Sequence, residues 1–164
     1  MTSPVFFTTL PSPVGELTIS ATSEGICGIY FSNHENLPKA SASWVRDDGT
    51  RFAAVQKWLR SYFAGTTPLE NPALVFAHGT DFQKCVWRAL QTIPRGETRS
   101  YGDIARRIGR AKAVRAVGAA IGRNPLSILV PCHRVIGSNG SLTGFAGGLD
   151  RKRWLLAHEG VACP

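Results

Sequence analysis

Ser100-Tyr101-Gly102-Asp103-Ile104-Ala105-Arg106-Arg107-Ile108-Gly109-Arg110-Ala111-Lys112-Ala113-Val114-Arg115-Ala116-Val117-Gly118-Ala119-Ala120-Ile121 is the stretch whose reading decides the fold. Ile104, Ala105 and Ile108 recur at helical spacing behind Ser100 and Asp103, and Gly109 ends the segment. After a short turn the pattern predicts a second helix from about Ala111 to Ile121, closed by Asn124-Pro125. Two short helices joined by a tight glycine-containing turn, the second one basic, form the pattern of a helix-turn-helix. The second helix is made almost wholly of Ala, Val and Gly, with Arg115 projecting from it. Tight helix packing uses the same small residues, so burial explains the composition as well as close approach to a partner does. Local charge separates the two readings. Between Arg99 and Arg123 stand seven basic residues and a single acid, Asp103, which favours DNA. A smooth helix with one long arginine suits a narrow minor groove.

The charge of the whole chain points the same way. Of the net +8, residues 79–164 hold all the excess, with fourteen basic against five acidic side chains, while residues 1–78 hold five against six. No amphipathic apolar face accompanies this charge, so nucleic acid is favoured over a membrane surface. With 43% hydrophobic and 18% charged residues the chain is globular. It contains no membrane-length apolar run, and Met1-Thr2-Ser3-Pro4 does not begin a leader, so a cytoplasmic protein is expected. Cys27, Cys85, Cys132 and Cys163 are scattered, with no C-x-x-C pair, and read as reduced thiols. Cys27 has only His34 nearby and His78 at a distance, so neither a metal nor a cofactor is expected.

Downstream lies Ser127-Ile128-Leu129-Val130-Pro131-Cys132-His133-Arg134-Val135-Ile136. Ile128 to Val130 read as a buried extended segment that Pro131 ends, leaving Cys132 at a sharp change of direction. An isolated cysteine between apolar residues is more often inert filler than a nucleophile. His133 and Arg134 weigh against filler, since imidazole supplies a base and guanidinium a positive surrounding that favours thiolate. Gly137 to Gly140 form a turn. Leu142-Thr143-Gly144-Phe145-Ala146-Gly147-Gly148 is a glycine-flanked loop, which either connects or presents the Phe145 ring to a base. A last helix from about Asp150 packs Trp154, Leu155 and Ala157 and ends at His158-Glu159-Gly160. A carboxylate at a helix C-terminus opposes the dipole, so Glu159 should be held by something specific.

Upstream, Val5 to Leu10, Glu16 to Ala21 and Ile26 to Phe31 read as an antiparallel meander, and Ser32 to Gly49 as polar loop. Phe52, Val55, Leu59, Tyr62 and Phe63 mark a covering helix, and Thr66 to Gly79 a connection. Thr80 to Gln83 resembles a capping box ahead of a helix stopped by Pro94-Arg95-Gly96. The fold class is α+β, with an N-terminal domain over 1–78 and a C-terminal, mostly helical domain over 79–164.

Pro131 to Val135, together with Arg115-Ala116-Val117-Gly118, Asn124-Pro125, Gly144 to Gly148 and Trp154 to Gly160, resembles the O6-alkylguanine-DNA alkyltransferases, or methylated-DNA–protein-cysteine methyltransferases. The likeness is specific over roughly Thr80 to Gly160 and upstream rests on size and Ser12-Pro13-Val14-Gly15. It implies a ribonuclease-H-like N-terminal domain and a winged-helix-like C-terminal domain whose helix-turn-helix enters the minor groove of double-stranded DNA. It implies Cys132 as the alkyl acceptor, His133 as its base through a water, Glu159 orienting the imidazole and Asn124 bracing the turn. Tyr101 would protonate the departing guanine, and Arg115 would fill the space of the flipped nucleotide. Ser100, Ala113, Val114, Ala116, Gly118, Ala119 and Arg123 would complete the DNA-facing set. The Val135 carbonyl would accept the base's amine, with Ile121, Leu142, Phe145 and Ala146 walling the pocket. Phe145 stands where the family often has Tyr, and Ala146 where some members have Ser.

The implied reaction is one-shot repair of O6-alkylguanine, and of O4-alkylthymine, by a chain acting as a monomer, with cooperativity on DNA left open. Thiolate attacks the alkyl carbon in line, and protonation makes guanine a good leaving group. The thioether product offers water no carbonyl, so each molecule reacts once. A turnover Cys-His hydrolase would require an oxyanion hole and leave the basic helix pair unexplained. A non-catalytic DNA regulator or lesion binder would not require Cys132.

Overall fold

The structure is a computed structural model and describes residues 3–163. Met1 and Thr2, where a leader would begin, and Pro164 lie outside the described residues. The chain forms two compact units, Met1–Ala77 and His78–Pro164.

In the first unit, residues of period two form β1 (Phe6–Leu10), β2 (Leu17–Thr22) and β3 (Gly25–Phe31), paired antiparallel in sequence. The β1–β2 turn closes through the Gly15 N–H on the Ser12 carbonyl at 3.0 Å, with Gly15 at φ 98°, where a side chain would be strained. Leu17, Ile19 and Ala21 are buried on one face, as the alternation requires. Ser32 to Gly49 is not all loop. It holds a 3-10 helix, Lys39–Ser43, and β4 (Val45–Arg46), which pairs parallel with β1 and makes the sheet mixed, in the order β3-β2-β1-β4. Both β4 residues are exposed, so no burial alternation marks it. Backbone bonds from Val45 to Val5 and from Asp47 to Phe7, each 2.9 Å, hold it in place. The stretch 66–79 likewise does more than connect, since Leu74 bridges to Ile26. Helix α1 (Ala53–Phe63) buries Val55, Leu59 and Tyr62.

The second unit positions the site. α2 (Asp81–Leu90) opens with the Thr80/Gln83 capping box and buries Val86, Trp87, Ala89 and Leu90. β5 (Arg99–Ser100) leads into α3 (Tyr101–Arg107), whose own capping box joins Ser100 and Asp103. Gly109, at φ 72°, takes the left-handed position after the helix end. α4 spans Val114–Gly122 and so starts later than expected. Ala111 to Ala113 instead form a turn, closed by the Ala113 N–H on the Arg110 carbonyl at 2.8 Å. The composition of α4 serves both readings, one on each side. Val117, Ala120 and Ile121 are buried, and the Trp87 indole donates to the Ala120 carbonyl at 2.8 Å. Arg115, Ala116, Ala119 and Arg123 are exposed along the opposite stripe.

The approach to Cys132 also differs from expectation. Ile128 to Val130 are not extended but form successive tight turns. Ile128, 1% exposed, has φ 73° and sits at the centre of a three-residue turn closed by Leu129 N–H on the Ser127 carbonyl at 2.9 Å. Pro131, with φ −81° and ψ 65°, centres a second, closed by Cys132 N–H on the Val130 carbonyl at 2.8 Å. Their apolar run reflects burial without strand geometry. Cys132–Arg134 then form a 3-10 turn, followed by β6 (Val135–Ile136), which pairs parallel with β5. α5 (Leu149–His158) closes the unit.

Candidate active site

Cys132 is 6% exposed, His133 0%, Asn124 2% and Glu159 8%, so all four are buried in the interior of the second unit. Asn124, just past α4, clamps the tight turns: its amide donates to the Val130 carbonyl at 2.8 Å and its oxygen accepts from Leu126 N–H at 3.0 Å. That clamp fixes the position from which the Cys132 backbone emerges. The Glu159 carboxylate, just past α5, lies 2.7 Å from His133 Nε2 and accepts from Arg134 Nε at 2.8 Å and Nη2 at 2.9 Å. Arg134 also donates to the Ile93 carbonyl at 2.6 Å. This is the specific hold that the unfavourable dipole position of Glu159 demands.

The protonation pattern follows from these contacts. Burial alone would push Glu159 up, but the His133 and Arg134 hydrogen bonds and charges outweigh it and hold the carboxyl well below the usual range. An ionised carboxylate only accepts, so His133 Nε2 carries the hydrogen and Nδ1 keeps a lone pair. Nδ1 is buried with no hydrogen-bond partner among the described residues. Burial pushes the His133 pKa down despite Glu159, so the imidazole is neutral and able to act as a base. Burial likewise pushes the Cys132 thiol up, opposed by the Asn124 hydrogen bond, the Lys152 charge and backbone N–H groups. The resting group is a thiol. This corrects the expectation that Arg134 favours thiolate, since its guanidinium is committed to Glu159 and Ile93.

Tyr101 opens α3 half-buried, and its hydroxyl donates to the Thr143 carbonyl at 3.1 Å and accepts from Thr143 Oγ1 at 3.2 Å. Leu142, Phe145 and Ala146 are half-buried in the 141–148 segment, whereas Val135 and Ile121 are buried. On the α4 side, Val114 joins the exposed stripe, while Ala113 and Gly118 are half-buried. Arg115 makes no side-chain hydrogen bond or ion pair among the described residues and is available to a partner. The Ser100 hydroxyl is engaged as the cap of α3, accepting from Asp103 N–H at 3.0 Å.

A family model described as 6-O-methylguanine DNA methyltransferase, DNA binding domain, matches residues 81–161, and one described as its ribonuclease-like domain matches residues 5–70. The methylated-DNA–protein-cysteine methyltransferase of Methanosarcina acetivorans is 45% identical over 95% of this chain and 99% of its own length. The chain belongs to the methylated-DNA–protein-cysteine methyltransferase family. The protein of the same name from Mycobacterium bovis is 45% identical over 98% of this chain and 95% of its own. The solved Mycobacterium tuberculosis O6-methylguanine methyltransferase superposes with a TM-score of 0.87 at 44% identity, covering 98% of this chain and 95% of that one. A Mycobacterium tuberculosis structure in complex with DNA gives 0.88 at 44% identity, covering 94% and 93%. Those neighbours carry the α+β architecture expected from the sequence.

Two residues of this candidate site are not assigned these places by the sequence alone. In sequence Arg134 is only a charge near the thiol, whereas in the structure it is the second support of Glu159. Lys152 was not singled out, although it shares a helical stripe with Leu155, Leu156 and Glu159, where a lysine is out of place. No helix among the described residues is long and apolar enough to cross a membrane.

Proposed function

We propose that this chain repairs alkylated DNA by direct reversal, moving the alkyl group of O6-alkylguanine in a duplex onto Cys132 in a single irreversible event. The observation that supports the reading is the buried His133–Glu159 pair, with a neutral imidazole whose Nδ1 is bare, following the buried Cys132 in the chain, in a unit that exposes a basic helix-turn-helix. The exposed stripe of α4 meets the minor groove, and Arg115 enters the stack as the damaged nucleotide leaves it. Extrusion costs about a few kcal/mol, which the inserted side chain and stacking on Phe145 help offset. His133 Nδ1 takes the thiol proton through one water as sulfur attacks the alkyl carbon. The C–S bond forms, the C–O bond breaks, and the electron pair withdraws into guanine, whose ring nitrogen takes the Tyr101 proton. Imidazolium and phenolate then return to neutral by exchange with solvent. The thioether has no hydrolytic exit, so no free enzyme is regenerated.

Incubation with duplex DNA bearing O6-methylguanine, followed by intact-protein mass measurement, tests the reading. One methyl adduct per molecule, with repair ending when protein is exhausted, is expected. Catalytic turnover, or no adduct at all, contradicts it. Cys132→Ala should bind duplex DNA nearly as the parent does, because phosphate contacts supply the affinity, and should accept no methyl group.

A further inference from the structure

Thr143 is exposed, two residues before Phe145, and both of its oxygens meet the Tyr101 phenol. The phenol donates to the Thr143 carbonyl at 3.1 Å, and the Thr143 hydroxyl donates to the phenol oxygen at 3.2 Å. The ring has a separate support. A side chain at Gly118 of α4 would come within 3.7 Å of the Tyr101 Cδ1, so the ring edge lies against helix backbone at a position without one. The carbonyl contact is enough to anchor the loop. The second bond adds nothing to that anchor, and it reaches the one oxygen that changes charge when Tyr101 gives up its proton. At rest the phenol proton points at the Thr143 carbonyl, so it has to swing away before it can reach a guanine nitrogen. Releasing it strands no acceptor, because the same carbonyl also receives the buried Lys152 ammonium at 2.8 Å. The Thr143 hydroxyl need not let go, since it donates to a lone pair of the phenol oxygen.

We propose that Thr143 is a positioning residue for leaving-group protonation: its carbonyl holds the Tyr101 proton before the base arrives, and its hydroxyl holds the phenol oxygen while the proton leaves and stabilises the phenolate that remains. The inference rests on the proposed function, in which Tyr101 protonates the departing guanine. The Tyr101 O–H bond breaks, an N–H bond forms on guanine, and the Thr143 hydroxyl keeps its own hydrogen throughout. At 3.2 Å the hydroxyl contact is long for two neutral groups, whose separation is usually about 2.7–2.8 Å. Against a charged oxygen such bonds shorten to about 2.5–2.7 Å and roughly double in strength. The contact is therefore weak in the resting site and strong as guanine departs, and only an interaction of that kind speeds a chemical step.

The test uses the full chain and free O6-benzylguanine, with single-turnover rates followed against substrate concentration. Thr143→Val keeps the shape and removes the hydroxyl; Thr143→Ser keeps the hydroxyl. Thr143 is exposed, so neither substitution disturbs the core. Thr143→Val is expected to lower the limiting rate about 10-fold and to leave the half-saturating concentration unchanged. Thr143→Ser should keep most of the parental rate. In a Tyr101→Phe background, Thr143→Val should slow the reaction no further, because no phenolate forms there. A parental limiting rate in Thr143→Val overturns the proposal, and so does an equal loss in both backgrounds. A loss seen only as a higher half-saturating concentration overturns it as well, since that is what a loosened Phe145 loop would produce. Failure of the underlying reading looks different. An adduct mapped away from Cys132 in the parent, or a Tyr101→Phe variant as fast as the parent, defeats that reading and takes the proposal with it.

Discussion

At the scale of single residues, the site depends on one carboxylate with two partners. Glu159 neutralises Arg134 and fixes the His133 tautomer, so Glu159→Gln removes the negative charge and one of the two acceptor oxygens and leaves a guanidinium poorly compensated beside a buried imidazole. Breaking such a pair on one side costs about 3–5 kcal/mol, which chemical denaturation would register. The same substitution should raise the pH at which Cys132 is alkylated, since a His133 without its anion is a weaker base; an unmoved midpoint would remove Glu159 from the relay. Glu159 and His133 are both lowered in the fold, so the unfolded chain binds more protons as acid is added. Their stabilisation is complete above about pH 6.5, the ordinary histidine value, and declines first through His133 and then, below about pH 4.5, through Glu159. Melting temperature measured against pH should therefore fall on the acid side of neutrality, and a flat profile there would contradict the assigned states. Asn124→Ala is expected to cost about 1–3 kcal/mol, because it leaves the buried Leu126 N–H unpaired while the Val130 carbonyl keeps only its Cys132 N–H, and to slow reaction with free O6-benzylguanine. A destabilised variant with the parental rate would separate the clamp from the chemistry.

At the scale of elements, α4 carries the DNA argument, and Arg115 the sharpest prediction. Arg115→Ala should react normally with free O6-benzylguanine but lose most activity on duplex DNA, because only the duplex requires extrusion; equal losses on both substrates would contradict insertion. The helices were legible because each carries local punctuation: Thr80 with Gln83, Ser100 with Asp103, and Gly109 after α3. What escaped the sequence was held by long-range or irregular backbone. β4 is two exposed residues fixed by β1, and no local pattern encodes that pairing. Ile128 and Val130 are apolar because they are buried, with Leu129 half-buried between them, and the tight turns they adopt depend on Asn124, whose clamp is visible only in space. Ala111 and Ala113 are strong helix formers and predict an earlier start for α4, yet the turn bond from Ala113 to Arg110 overrides that propensity. Cys132, His133 and Glu159 could be named from motif and resemblance. Arg134 and Lys152 could not, because an arginine in a basic half and a lysine in a helix look like surface charge until burial is known.

At the scale of the whole molecule, the proposed transfer to Cys132, which is 6% exposed, has consequences for the protein that has reacted. The added alkyl group must fit against a packed 3-10 turn, and extra methylene-sized groups in packed interiors cost about 1–3 kcal/mol. The alkylated protein should therefore melt several degrees below the free form, more so with benzyl than with methyl, as calorimetry of the three forms would show. A modified form as stable as the parent would refute the packing argument. The central claim is that Cys132, and none of the other three cysteines, receives the alkyl group. Its most direct measurement is peptide mapping after reaction with duplex DNA carrying an isotopically labelled O6-methylguanine. The label is predicted on the peptide containing Cys132, and label on Cys27, Cys85 or Cys163 would contradict it.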